Sequence, residues 1–447
     1  MSKLIRLSDH FTYGKLLRFT LPSICMMVFT SIYGVVDGLF VSNFVGKTPF
    51  AAVNLVMPFV MILGGMGFMI GTGGTALVSK LLGEGKPDEA HRTFSMLVLF
   101  TLLLGAVLSA VGIITMPAVS RLLGASDAMI ADCVLYGRIV TGFTFAFMLQ
   151  NVFQSFFIAA EKPRLGLFVT VAAGITNMVL DALFIAVFNW GVAGAAIATS
   201  LSQLICAGLV IWVLLRIPGD CRLHVSELRF DSVLLRRMTA IGLPAGLATI
   251  MYSVANVIIQ KAINLLGTDT AAAWSIYWKL DGFYWPVSNA IGITVMTFAG
   301  QNYGARQLDR ITSVIRTGMW MHVGFSALFS ALLFLTRGLT VRFFTDDTNV
   351  MAEGSRIITM LAFFYPTFCC VEVLSSAMRG CGRSVMPTVL TLFGTCLLRL
   401  ALLFFVTFPH LNNWTIALCY PATWLTTSVL FVIYYKCFRW MPEIKQT

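Results

Sequence analysis

The chain is short of charge. Only 11% of its 447 residues are Asp, Glu, Lys or Arg, while 58% are hydrophobic. A water-soluble chain of this length carries more charge and cannot hide that much apolar area. Histidine is scarce as well: there are five, scattered, and they form no metal-ligand spacing. The ten cysteines include no C-x-x-C pair. Cys369 and Cys370 are adjacent, so they cannot easily bridge each other, and most of the others sit in apolar runs as small buried hydrophobes do. The start, Met1 to Tyr13, lacks the apolar core and cleavage site of a signal peptide, so the first span is expected to act as its own insertion signal. Nucleotide loops, nucleophile motifs and metal clusters are also missing. That leaves an enzyme, or a transporter driven by its own ATP hydrolysis, without support.

What the chain does have is apolar length. Runs of about 20 residues, enough to cross a bilayer, recur from end to end. The pattern predicts an all-α membrane protein, because only helices or closed barrels satisfy their backbone in lipid. Twelve spans are expected, at 15–44, 50–82, 92–118, 129–158, 164–188, 191–216, 233–266, 270–301, 310–335, 354–379, 385–408 and 413–437. Most connections are short. The exception is a polar, turn-rich stretch at mid-chain, which divides the chain into a bundle at 1–216, a cytoplasmic linker at 217–232 and a second bundle at 233–447. With both termini in the cytoplasm, most of the 31 Lys and Arg fall on that side. The net charge of +11 thus reflects basic loops beside a membrane and calls for no nucleic acid.

The halves repeat. Tyr33-Gly-Val-Val-Asp37 aligns with Tyr252-Ser-Val-Ala-Asn256, Gly73-Gly74-Thr75 with Gly292-Ile293-Thr294, and Gly85 with Gly304, all at an offset of 219. Leu21-Pro22 has a counterpart in Leu243-Pro244, and Ala159-Ala160-Glu161-Lys162 in Gly380-Cys381-Gly382-Arg383. Six spans per half give both halves one orientation, so the repeat is parallel, about an axis along the membrane normal. With an offset of 221 in later spans, Asn177 pairs with Leu398 and Asp181 with Leu402.

The chemistry of the halves differs. In the fifth span Asn177 and Asp181 are four residues apart, on one helix face. An acid in hydrocarbon marks a functional site by default; a polar pair that glues two helices is the plainer reading. Asp37 in the first span is a second acid. Asp37 and Asp181, with the amide of Asn177 and the hydroxyl of Thr199, could bind a proton or form an oxygen shell for Na⁺. Pro22 removes a backbone hydrogen bond and either lets the first span bend or fixes a static kink. Tyr33, one turn before Asp37, either hydrogen-bonds it or packs as an aromatic. Gln150, Asn151 and Gln154 either line a cavity or join helices. In the second half, Asn256, Lys279, Asp281 and Glu372 are candidates for the cavity. Lys261 is expected to snorkel, His322 to be a satisfied core residue, and Arg399 to pair with Glu372 or Asp281.

At these residues the chain resembles the multidrug and toxic compound extrusion (MATE) transporters. The likeness covers nearly the whole chain, and its specific part is Pro22, Asp37, Asn177, Asp181 and Thr199. It implies a cation site at those residues and antiport, with H⁺ or Na⁺ entering as small drug-like, cationic organic molecules leave. It further implies a monomer in a bacterial-type plasma membrane, with the bilayer as its surroundings and no cofactor. Other branches of the family place an acid in the second bundle, whereas the seventh span here carries Asn256 and Lys261. A flippase of lipid-linked sugars, from the same wider superfamily, is the alternative, kept open by Lys261, Lys279 and Arg399.

Overall fold

The computed structural model describes residues 13–216 and 231–441, which contain helices and no strand. Ten helices are long and apolar enough to cross a membrane unbroken. In the first half these are Tyr13–Val45, Thr48–Gly83, Pro87–Leu122, Pro163–Val187 and Gly191–Arg216. In the second half they are Ser232–Asn264, Leu308–Phe344, Thr348–Gly380, Val385–Thr407 and Asn413–Cys437. The fourth span is a pair, Ile130–Gly142 and Thr144–Ala159, bent by 56°. The eighth is Thr268–Asp281 followed by Tyr284–Gly304. This is the expected twelve-span, two-repeat fold. The third and ninth helices outrun their expected spans. Pro87 opens the third, with Asp88 and Glu89 in its first turn, where a missing N–H costs nothing and acids meet the helix dipole well. Such charged turns escape a reading based on apolar length.

Packing divides the chain into two units. One is Phe19–Gly246; the other is Leu247–Thr447 with the start of the first helix up to Arg18. Most of the expected linker lies outside the described residues. The first unit takes in the beginning of the seventh span because glycines let that helix in: a Cβ on Gly73 or on Gly242 would strike the backbone carbonyl of Met238 or Met69. Small residues permit this close approach between membrane helices. The second unit has a buried aromatic core. The Tyr277 and Tyr365 hydroxyls are 2.9 Å apart, and Tyr284 OH lies 2.9 Å from Ser326 Oγ. Ser326 and Ser288 in turn satisfy both nitrogens of His322, as expected of a core histidine.

The turns fix the repeat register. Residues with positive φ recur as Gly46 and Gly267, Gly85 and Arg306, and Glu161 and Gly382. All three pairs lie 221 apart, so Gly85 matches Arg306 and not Gly304. Inside the first span the register is 222, and the buried positions Leu16, Phe19, Thr20, Ser23 and Met26 recur as Met238, Ile241, Gly242, Ala245 and Ala248. The difference of one is a π-turn at Val41–Val45 that the seventh span lacks. A π-turn inserts one residue into a helix. The structural mate of Asp37 is therefore the buried Ile259, and the expected match to Asn256 fails. In the eleventh span a π-turn at Leu392–Leu397 shifts the register again: buried Asn177 and Asp181 match buried Arg399 and Leu403, one residue on from Leu398 and Leu402. A residue-by-residue alignment without gaps cannot see an insertion that keeps the helix continuous.

Candidate functional site

The first unit gathers its acids. Asp37 and Tyr33 share one face of the first helix, and Asn177 and Asp181 share one face of the fifth. The two helices meet where Gly174 has no side chain, since a Cβ there would stand 2.5 Å from Phe29 Cε1 and 2.8 Å from Tyr33 Cδ1. The carboxyls of Asp37 and Asp181 stand close enough to act on each other. Asp181 is 0% exposed, Asn177 2%, and Asp37 half-buried. Each acid is followed closely by a π-turn, Val41–Val45 in one case and Ala182–Val187 in the other, and these two turns pack together. Such turns open the regular backbone ladder and recur at functional sites.

The polar atoms here are unanswered. Asp37 Oδ1, both Asp181 carboxylate oxygens and Asn177 Nδ2 are buried with no hydrogen-bond partner, and on the sixth helix Thr199 Oγ1 is likewise buried and unpartnered. Among the described residues neither acid meets a lysine or arginine at salt-bridging distance. Buried polar groups in native proteins are normally paired, and two carboxyls held together without a cation repel when both are charged. The arrangement suits a ligand that brings positive charge.

One further residue belongs to the neighbourhood. Tyr136 in the fourth span is 1% exposed, lies within the field of both acids and leaves its hydroxyl unpartnered. Gln203, one turn after Thr199 on the sixth helix, leaves Oε1 unpartnered. A tyrosine in an apolar run carries no signal by itself, and only the fold brings it to the acids. Tyr33 does not bond Asp37; its hydroxyl accepts from Gln150 Nε2 at 3.4 Å. Asn151 donates to the Gly64 carbonyl at 3.1 Å and joins helices. Gln154 is half-buried, one turn from Gln150. Pro22 lies inside the continuous first helix, in its cytoplasmic-side half by the expected orientation.

The second-unit candidates do not converge on one such site. Asn256 is exposed. Lys279 is exposed, with Nζ 5.4 Å from the centre of the Phe344 ring. Asp281 accepts from Tyr365 OH and Trp285 Nε1, each at 2.6 Å. Glu372 faces Ser376 Oγ at 3.5 Å, in a space that Gly292 leaves open. Arg399 forms an ion pair with neither acid. It lies over the Tyr420 ring at 4.7 Å and the Tyr252 ring at 5.8 Å. The aromatic faces take the part expected of a carboxylate.

The MatE family profile matches residues 22–183 and 244–405, which is both repeats. The chain belongs to the MatE family. MatE proteins are membrane transporters and not enzymes, and this chain is a multi-pass membrane protein of the multidrug efflux group. It is similar to the probable multidrug resistance protein YoeA of Bacillus subtilis, with 24% identity over 95% of this chain and 93% of that one. It is also similar to an FAD transporter of Shewanella oneidensis, with 25% identity over 87% and 86%. Its fold matches a MATE crystal structure in the straight conformation, with a TM-score of 0.90, 18% identity and 98% of each chain covered. The matched segments begin at Pro22 and Pro244, the same register of 222 that the buried positions give. MatE members among the relatives support efflux and lend nothing to the flippase alternative.

Proposed function

We propose that the chain is an ion-coupled antiporter of the bacterial plasma membrane. It exports small drug-like organic compounds, cations above all, by alternating access as H⁺ or Na⁺ enters. The observation that carries this reading is the pair Asp37 and Asp181, with buried, unanswered oxygens and, among the described residues, no basic partner. Asn177 and Thr199 complete the ion site. Tyr136 lies beside it as a hydroxyl that reorients when the ion arrives. A proton or Na⁺ removes the repulsion between the carboxyls and lets the first and fifth helices draw together. The first span then changes its bend near Pro22, where one backbone hydrogen bond is already missing. The drug binds one of these states better than the other, and that difference is the coupling. The chain works as a monomer with both termini in the cytoplasm, needs no cofactor and engages no nucleic acid.

The experiment is transport in proteoliposomes under an imposed Na⁺ or H⁺ gradient, against a panel of organic cations with FAD as the anionic arm. Gradient-driven cation movement is expected with at least one ion. Equal movement with no gradient would end the antiport reading.

A further inference from the structure

We propose that the second unit holds a carboxylate-binding site centred on Arg399, between the rings of Tyr252 and Tyr420. It is independent of the ion-coupling reading, since none of the residues of the acid site takes part. Arg399 is the repeat-mate of Asn177, so a permanent positive charge stands where the first unit sets an amide beside its acids.

The guanidinium is 2% exposed. It carries five N–H donors in a planar fork and cannot shed its charge in a protein. One donor, on Nη2, reaches Thr423 Oγ1 at 3.2 Å, while Nε has no partner at all. Thr423 is itself fixed, donating to the Cys419 carbonyl at 2.7 Å. Among the described residues no carboxylate lies at salt-bridging distance. The acid whose charge reaches Arg399 is Asp281, and both its oxygens are already engaged by Tyr365 and Trp285. Two tyrosine faces stabilise a cation but accept no in-plane hydrogen bonds, so they leave Nε unanswered. A second unanswered donor is close by. Trp424, next to Thr423 and packed on Tyr420 with ring centroids 5.8 Å apart, leaves its indole N–H without an acceptor.

A buried charge with no opposite charge beside it and a donor left unanswered is costly, and intramembrane charges normally find an ionic partner. The missing group must be negative, must accept several hydrogen bonds and must fit a planar fork. A carboxylate meets all three requirements, and a bidentate contact with arginine is its strongest pairing. The apolar rings on either side favour one attached to an organic body. Anionic or zwitterionic carboxylates are therefore ligands of this unit.

The test is equilibrium binding of radiolabelled benzoate to the full chain in nanodiscs, with chloride as competitor. Saturable binding is expected in the unmodified protein, weakened about ten- to a hundredfold in Arg399→Gln. Arg399→Lys keeps the charge but loses the fork; it should bind about tenfold more weakly than the unmodified protein and serves as the check should Arg399→Gln fail to fold. Lys261→Gln, which removes an exposed cation, should leave binding unchanged. No saturable binding, or unchanged binding in both Arg399 variants, would overturn the site. Chloride binding in place of benzoate would overturn the carboxylate assignment.

Discussion

Asp37 and Asp181 ask most of their surroundings, because each is an acid in lipid whose partner is another acid. Asp37→Asn and Asp181→Asn are each expected to abolish gradient-driven efflux while leaving expression largely intact. The Asn side chain keeps the volume and loses the charge that the proposed ion would answer. Asn256→Ala, an exposed position outside any cluster, should cost far less transport than Asp37→Ala. Vesicle transport by the four variants checks this, and equal losses at Asn256 and Asp37 would remove the acid from its special place. Tyr136→Phe deletes a buried hydroxyl that has no partner. Stability should therefore move by less than about 0.5 kcal/mol, while the ion dependence of transport changes. Thermal unfolding in detergent beside transport separates the two. The acids and Asn177 stood out in the sequence because polar groups stand out against apolar runs. Tyr136 did not, because a tyrosine among apolar residues has many ordinary uses. The pairing expected for Arg399 failed because two aromatic rings replaced a carboxylate, and no spacing rule foretells which neighbour a buried guanidinium finds.

Among the helices, the first and fifth matter most, and what brings them together is an absence. Gly174 faces Phe29 and Tyr33 at distances no β-carbon tolerates. Gly174→Ala should push these helices apart, costing about 1–3 kcal/mol as overpacking does. It should also reduce transport by parting Asp37 from Asp181. A melting temperature equal to that of the unmodified protein would show that the contact gives way easily. Span number and type were readable because bilayer thickness imposes a length on every helix. The π-turns were not: they leave the hydropathy pattern nearly untouched, yet each slips the register by one residue. Asp37 thereby came to match Ile259, and Asn177 to match Arg399.

For the molecule as a whole, the proposed coupling must be reciprocal. If an ion weakens drug binding by some factor, bound drug weakens ion binding by the same factor. Drug affinity measured at equilibrium in nanodiscs, at low and high pH and with and without Na⁺, should fall as the acid site fills. Asp37→Asn should abolish that dependence. An affinity that ignores both ions in the unmodified protein would sink the mechanism.

The unequal repeats also limit how hard such an exporter can pump. The first unit sets two carboxyls together, and under the proposed antiport that pair is the one place to load. One H⁺ exchanged for one monovalent cation moves no net charge, and the electrical half of the cell's energy supply goes unused. Filling both carboxyls for each cation exported would carry one net charge inward. That charge is worth about 2.3 kcal/mol per 100 mV, or about fifty-fold in the cargo gradient that can be held. Efflux with the vesicle voltage clamped by a potassium ionophore distinguishes the two: indifference to voltage means single loading, and a steep response means that both acids discharge in every cycle.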